Sequence, residues 1–107
     1  MREISTVKYH ATFSKKGDIV YISHLDLMSV FRRALRRSGL PFVLTKGFTP
    51  RVKISIPMAL KLGKESDREE MSLWLTETVG PAEVTEKINR ELPEGIRVEE
   101  LRPDSGR

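Results

Sequence analysis

The chain has no cysteine among its 107 residues, which removes disulfides, thiolate metal sites, cysteine nucleophiles and cysteine-held iron-sulfur clusters from its own chemistry. Histidine is nearly as scarce. With His10 and His24 as the two imidazoles, a metal site would have to lean on carboxylates, and none is expected. Long hydrophobic runs are missing too: no stretch approaches the roughly 20 apolar residues of a membrane span, and residues 1–9 lack the apolar segment of a signal peptide. The expectation is a cytoplasmic protein without membrane contact. Phosphate loop, dinucleotide fingerprint, serine-hydrolase elbow and zinc-protease helix motif are all absent. No cofactor is expected, and no glycosidase-like carboxylate pair stands out among the acids.

Acid is also missing locally. Residues 29–64 contain no aspartate or glutamate, while Arg32, Arg33, Arg36, Arg37, Lys46, Arg51, Lys53, Lys61 and Lys64 supply nine positive charges. The segment before carries +1 and the segment after carries −6, so a net charge of only +4 hides a strongly polarised sequence. A phosphate backbone is the partner such polarity suits; a solvated helix face with charged loops is the alternative that the composition leaves open.

What is present is enough Val, Ile, Leu, Met and Phe for one core in a chain of single-domain size. One domain is expected over residues 1–101, with 102–107 a frayed tail. Residues 5–13 alternate Val7, Tyr9, Ala11 and Phe13 against Lys8, His10 and Thr12, the period of a half-buried strand. Residues 15–18 read as a turn, and the β-branched run 19–22 as a second strand or an extension of the first. Ser23 and Asp26 stand in the spacing of a capping-box variant, predicting a helix from His24 to about Ser38. On its wheel Leu27, Met28, Phe31, Ala34 and Leu35 share one side, and Arg32, Arg33, Arg36 and Arg37 the other. Gly39 and Pro41 stop it.

Residues 42–45 and the alternating Val52, Ile54 and Ile56 predict short strands around a Gly- and Pro-punctuated loop at 46–50. Residues 58–68 read as a loop or a short helical turn. Met71, Leu73 and Leu75 alternate against Ser72, Trp74 and Thr76 as another strand. Gly80-Pro81 opens a second helix with Val84, Ile88 and Leu92 at one-face spacing. Ile96, Val98 and Leu101 form a last strand that slips by one residue after Val98. The order predicts an α+β fold of ferredoxin-like split βαβ type with extra short strands, two helices covering one face of a mostly antiparallel sheet.

The residues that could carry chemistry concentrate in two segments, 23–28 and 46–51. His24 faces inward at a helix start, where an imidazole serves a structural hydrogen bond, a ligand contact or proton transfer. Asp26 is a cap-region carboxylate or an orienting partner for a ligand or His24. Gly47 permits a positive φ or close backbone approach, and Phe48 beside it belongs in the core or on a base. Trp74, opposite Met71, Leu73 and Leu75, lies on the uncovered sheet face as a stacking platform or packs under a loop. Ser23, His24 and Asp26 with Lys46, Gly47, Phe48 and Arg51 are expected to form one anion-binding pocket, because free helix N–H groups and the loop cations converge there. Arg33, Arg36, Arg37, Lys46, Arg51, Lys53 and Trp74 are the expected nucleic-acid contacts.

The motifs Ser23-His24-Leu25-Asp26, Ala34-Leu35-Arg36-Arg37-Ser38-Gly39-Leu40-Pro41 and Lys46-Gly47-Phe48-Thr49-Pro50-Arg51, followed by Ile54-Ser55 and Leu62-Gly63-Lys64-Glu65-Ser66, resemble those of the radical-SAM-linked DUF2344 family of bacterial domains. The match spans roughly residues 9–76 and keeps the family's order. Thr49 and Arg51 stand where the family loop carries asparagine and histidine, and Ser29 where a basic residue is frequent. Family members occur fused to, or encoded beside, a radical-SAM protein and near a ribonuclease of the E/G type, so the resemblance implies work on RNA or on a modification enzyme. Without cysteine this chain cannot hold the radical-SAM cluster, which places that chemistry in a partner.

Together these observations predict an RNA-binding or substrate-presenting accessory domain for a radical-SAM partner, not a catalyst. The alternative is a protein-docking module that meets that partner through its acidic C-terminal third or an exposed apolar sheet face. A metal-independent ribonuclease is a further alternative, against which the missing loop histidine counts.

Overall fold

The computed structural model describes residues 6–57 and 62–104. Strand β1 (Val7–Lys15) leads through a 3₁₀ turn (Gly17–Tyr21) into helix α1 (His24–Ser38); β2 (Ile54–Ser55), β3 (Ser66–Leu75), α2 (Pro81–Glu91) and β4 (Ile96–Pro103) follow. The sheet order is β2-β3-β1-β4, and each neighbouring pair is antiparallel. That is the expected α+β, split βαβ arrangement.

Alternation along the strands explains the layers. Tyr9, Ala11 and Phe13 of β1 and Met71, Leu73 and Leu75 of β3 are buried on one face, against Leu27, Phe31, Ala34 and Leu35 of α1 and Val84 and Ile88 of α2. Phe13 meets Phe31 edge to face, with ring centroids 4.9 Å apart. The Tyr9 hydroxyl reaches the core's rim, donating to the Val79 carbonyl at 2.6 Å and accepting from its N–H at 2.9 Å. It thereby satisfies the backbone just before α2.

Helix α1 matches its predicted bounds. Ser23 caps it by accepting from the Asp26 N–H at 3.1 Å, and Gly39 ends it in the left-handed region with φ 83°. The slip in β4 is a bulge: Phe13 pairs with Val98 and Thr12 with Glu100, leaving Glu99 as the extra residue.

Four expectations need correction. The run 19–22 is not a strand, because the Ile22 N–H turns back to the Ile19 carbonyl and Gly63 N–H covers the Val20 carbonyl. Lys15, expected in a turn, is the last residue of β1 and is buried, its Nζ donating to Val20 O at 3.4 Å. Strand β3 starts at Ser66, five residues before Met71, because Phe13 and Thr12 extend the β1 ladder to Glu69 and Glu70. β4 continues past residue 101: Arg102 and Pro103 pair with His10 and Tyr9, so the chain is held there instead of frayed. The short-strand segments at 42–45 and 52–56 contribute isolated bridges, Phe42 to Leu75 and Leu44 to Val52, plus the two residues of β2. The expected loop at 58–68 falls partly on 58–61, which lie outside the described residues.

Candidate nucleic-acid interface

The inner face of α1 is fixed by the core, and this orients its outer face. Arg33, Arg36 and Arg37 are exposed, while Arg32, expected beside them, is half-buried and donates from Nε to the Val52 carbonyl at 3.3 Å. That bond ties the helix to the segment after the loop. Arg36 also stands over the Phe42 ring, 5.4 Å from its centroid.

Residues 43–53 form a two-stranded ribbon closed by three short bonds. Lys53 N–H donates to Val43 O and Thr45 N–H to Arg51 O, both at 2.7 Å, and Arg51 N–H donates to the Thr45 hydroxyl at 3.0 Å. Gly47 at the tip has φ 136°, a conformation other residues rarely adopt. Phe48 beside it is fully exposed, so the core placement considered for it is overturned. The tip offers an aromatic ring between Lys46 and Arg51.

Between ribbon and helix lies a cleft of about 420 Å³ lined by Ser29, Arg32, Arg33, Arg36, Pro50, Arg51 and Val52. Four guanidinium side chains border it, and no carboxylate lines it. Several cations elsewhere are matched: Lys16 to Asp67 at 2.8 Å, Lys87 to Glu83 at 2.9 Å and Arg68 to Glu100 at 3.4 Å. The hydrogen bond to Asp67, reinforced by that carboxylate's charge, raises the Lys16 pKa above the ordinary lysine value. Among the described residues, Arg33, Arg36, Arg37, Lys46, Arg51 and Lys53 have no carboxylate partner. Like charges held this close are stabilised by an external anion.

The loop therefore meets α1 between its second and fourth turns. Ser23, His24 and Asp26 are not among the residues lining that cleft. The Ser23 hydroxyl is committed to the cap, and the exposed Asp26 carboxylate bonds neither a cation nor His24 among the described residues. His24 is half-buried, and its Nδ1 is buried without a hydrogen-bond partner.

Trp74 sits on the other side of the molecule's sheet, on the face no helix covers. Its ring lies under two ammonium groups, Lys53 Nζ at 4.7 Å and Lys8 Nζ at 5.4 Å from the centroid. The face is polar, which corrects the expectation of an apolar docking sheet. It also carries a histidine that sequence reasoning passed over: His10 Nδ1 is 3.3 Å from the Ser72 hydroxyl, and Nε2 is 3.6 Å from Asp104. The alternation of β1 places His10 outward, but its neighbours depend on register, which no single segment reveals.

The model of an uncharacterised protein family conserved in bacteria, DUF2344, matches residues 8–105. The chain belongs to that family. A comparison with curated proteins gives no match.

Proposed function

We propose that this DUF2344 domain is a non-catalytic RNA-binding or substrate-presenting accessory domain that works with a radical-SAM modification enzyme. The observation that carries the reading is the acid-free cleft between α1 and the ribbon, bordered by Arg32, Arg33, Arg36 and Arg51. Guanidinium groups match phosphate oxygens in geometry as well as charge. Because they are spread over a helix and a ribbon, they suit a chain of phosphates better than one small anion. Arg37, Lys46 and Lys53 extend the same unpaired set to the helix end, the loop tip and the sheet edge. Phosphate contacts of this kind position a nucleic acid without choosing its sequence. The radical-SAM partnership rests on the family resemblance alone; without cysteine, this chain would leave the cluster to that partner.

A second reading, docking on the partner without RNA, has one observation in its favour. Tyr21, Leu25 and Leu62 are large apolar side chains left exposed around the start of α1, beside the Ser23-His24-Leu25-Asp26 motif. Ultraviolet cross-linking in cells, followed by identification of both RNA and protein on the captured domain, separates the two. Recovery of RNA that Arg33→Ala/Arg36→Ala abolishes supports the RNA reading. Recovery of the radical-SAM protein without RNA, lost in Tyr21→Ser/Leu25→Ser, supports docking.

A further inference from the structure

The uncovered sheet face is ordered in rows that cross the strands. Lys53, Trp74 and Lys8 form one row, joined by the two ammonium-ring contacts. The next, about 7 Å along the strands, is Ser55, Ser72, His10 and Arg102, neighbours through the registers Ser55 to Ser72, Ser72 to His10 and His10 to Arg102. The row after that is Glu70, Thr12 and Glu100. A cleft of about 630 Å³ spans the second and third rows and includes Lys8.

Each row has a different chemistry. The first has a planar aromatic with cations at both sides. The second has hydroxyls, an imidazole and a guanidinium that lacks a carboxylate partner among the described residues, a set able to bond a sugar or a base edge. The third is acidic and repels phosphate, although Arg68 offsets Glu100 at 3.4 Å. A phosphodiester chain is therefore steered across the strands, not along them. Its cationic path runs from Lys8 to Lys53 and on to Arg51, which borders the arginine cleft.

We infer that this face binds an unpaired nucleotide of single-stranded RNA, with its base on Trp74, its phosphates on Lys8 and Lys53, and its sugar or base edge on the row of Ser72, His10 and Arg102. The inference rests on the RNA reading and adds a substrate class to it. A duplex keeps its bases stacked on one another and has none to offer the ring. The two lysines do not block the ring: an exposed cation over an aromatic is worth about 2- to 5-fold in affinity, whereas a stacked base is worth about 5- to 150-fold. The exchange also frees the Lys53 ammonium for phosphate, while Lys8 keeps the Asp104 carboxylate 4.0 Å away as a competing partner.

Trp74 is the single tryptophan of the chain, so its fluorescence reports on this face alone. A short oligouridylate is titrated against the protein while that fluorescence is read, in parallel with anisotropy of the fluorescein-labelled oligonucleotide. The expected result is saturable quenching with the same midpoint in both readouts, and no quenching by duplex RNA of equal length. Trp74→Leu should then bind at least about 5-fold more weakly, with Trp74→Phe recovering most of the loss and Lys53→Ala lowering the salt dependence. Binding seen by anisotropy with unchanged Trp74 fluorescence, and with Trp74→Leu binding as wild type, overturns the inference and leaves RNA on the arginine cleft alone. No anisotropy change with any RNA overturns the RNA reading and this inference with it.

Discussion

Along α1, Phe31 and Ala34 are sealed against the sheet, while Arg33 and Arg36 on the outer face are exposed and border the cleft, Arg36 also standing over the Phe42 ring. The two faces differ in what completes them. Inner side chains have found their partners within the domain, whereas the outer cations have no carboxylate among the described residues. Lys16 and Lys87, away from that face, each have one. A folded domain with an unneutralised face tolerates the self-repulsion, and an external anion relieves it. On the proposed function, stability and binding lie on opposite sides of one helix, so substitutions should separate them.

The largest effect should come from the inner face. Phe31→Ala removes a fully buried ring that packs edge-on against Phe13 and should cost about 3 to 5 kcal/mol. Urea denaturation measures it through the shift in midpoint at unchanged slope. At the core's rim, Tyr9→Phe deletes the hydroxyl that both donates to and accepts from Val79. The stranded carbonyl and N–H should cost about 1 to 3 kcal/mol, read from the same denaturation curve. Ser23→Ala removes the cap that aligns both faces and should cost about 1 kcal/mol. Arg33→Ala, on the outer face, should move stability by no more than about 0.5 kcal/mol. A midpoint that moved as far for Arg33→Ala as for Phe31→Ala would erase the contrast and the helix phase behind it.

Much of this was legible beforehand because α1 carries its own punctuation. Ser23, the spacing of Leu27, Phe31, Ala34 and Leu35, and Gly39 are local signals, and each gives the element it predicts. The bulge in β4 was legible for the same reason, since Val98 and Leu101 break a period of two. What was not legible depends on distant partners. Ile19 and Val20 have strand composition, yet Gly63 and the buried Lys15 draw that segment into a 3₁₀ turn. Ser66, Asp67 and Arg68 look like loop, yet β3 begins there, with Ser66 paired to Lys15. Arg102 and Pro103 look like tail, yet β1 offers them an edge.

The candidate site divides in the same way. The arginine stripe was visible as an absence of acid, and Arg51 and Lys46 as loop cations. That the loop folds back to the middle of α1 required the Arg32 to Val52 tie. The His10 row required the register of three strands.

Salt dependence of RNA affinity tests the central claim most directly, with wild type compared against Arg33→Ala, Arg36→Ala and the surface control Arg97→Ala. If the unpaired outer face of α1 holds phosphates, the logarithm of the association constant falls linearly with the logarithm of salt concentration. Arg33→Ala and Arg36→Ala should each shallow that slope by about one unit on unrelated sequences alike, while Arg97→Ala leaves it unchanged. Equal losses in all three variants, or an affinity indifferent to salt, would contradict the account.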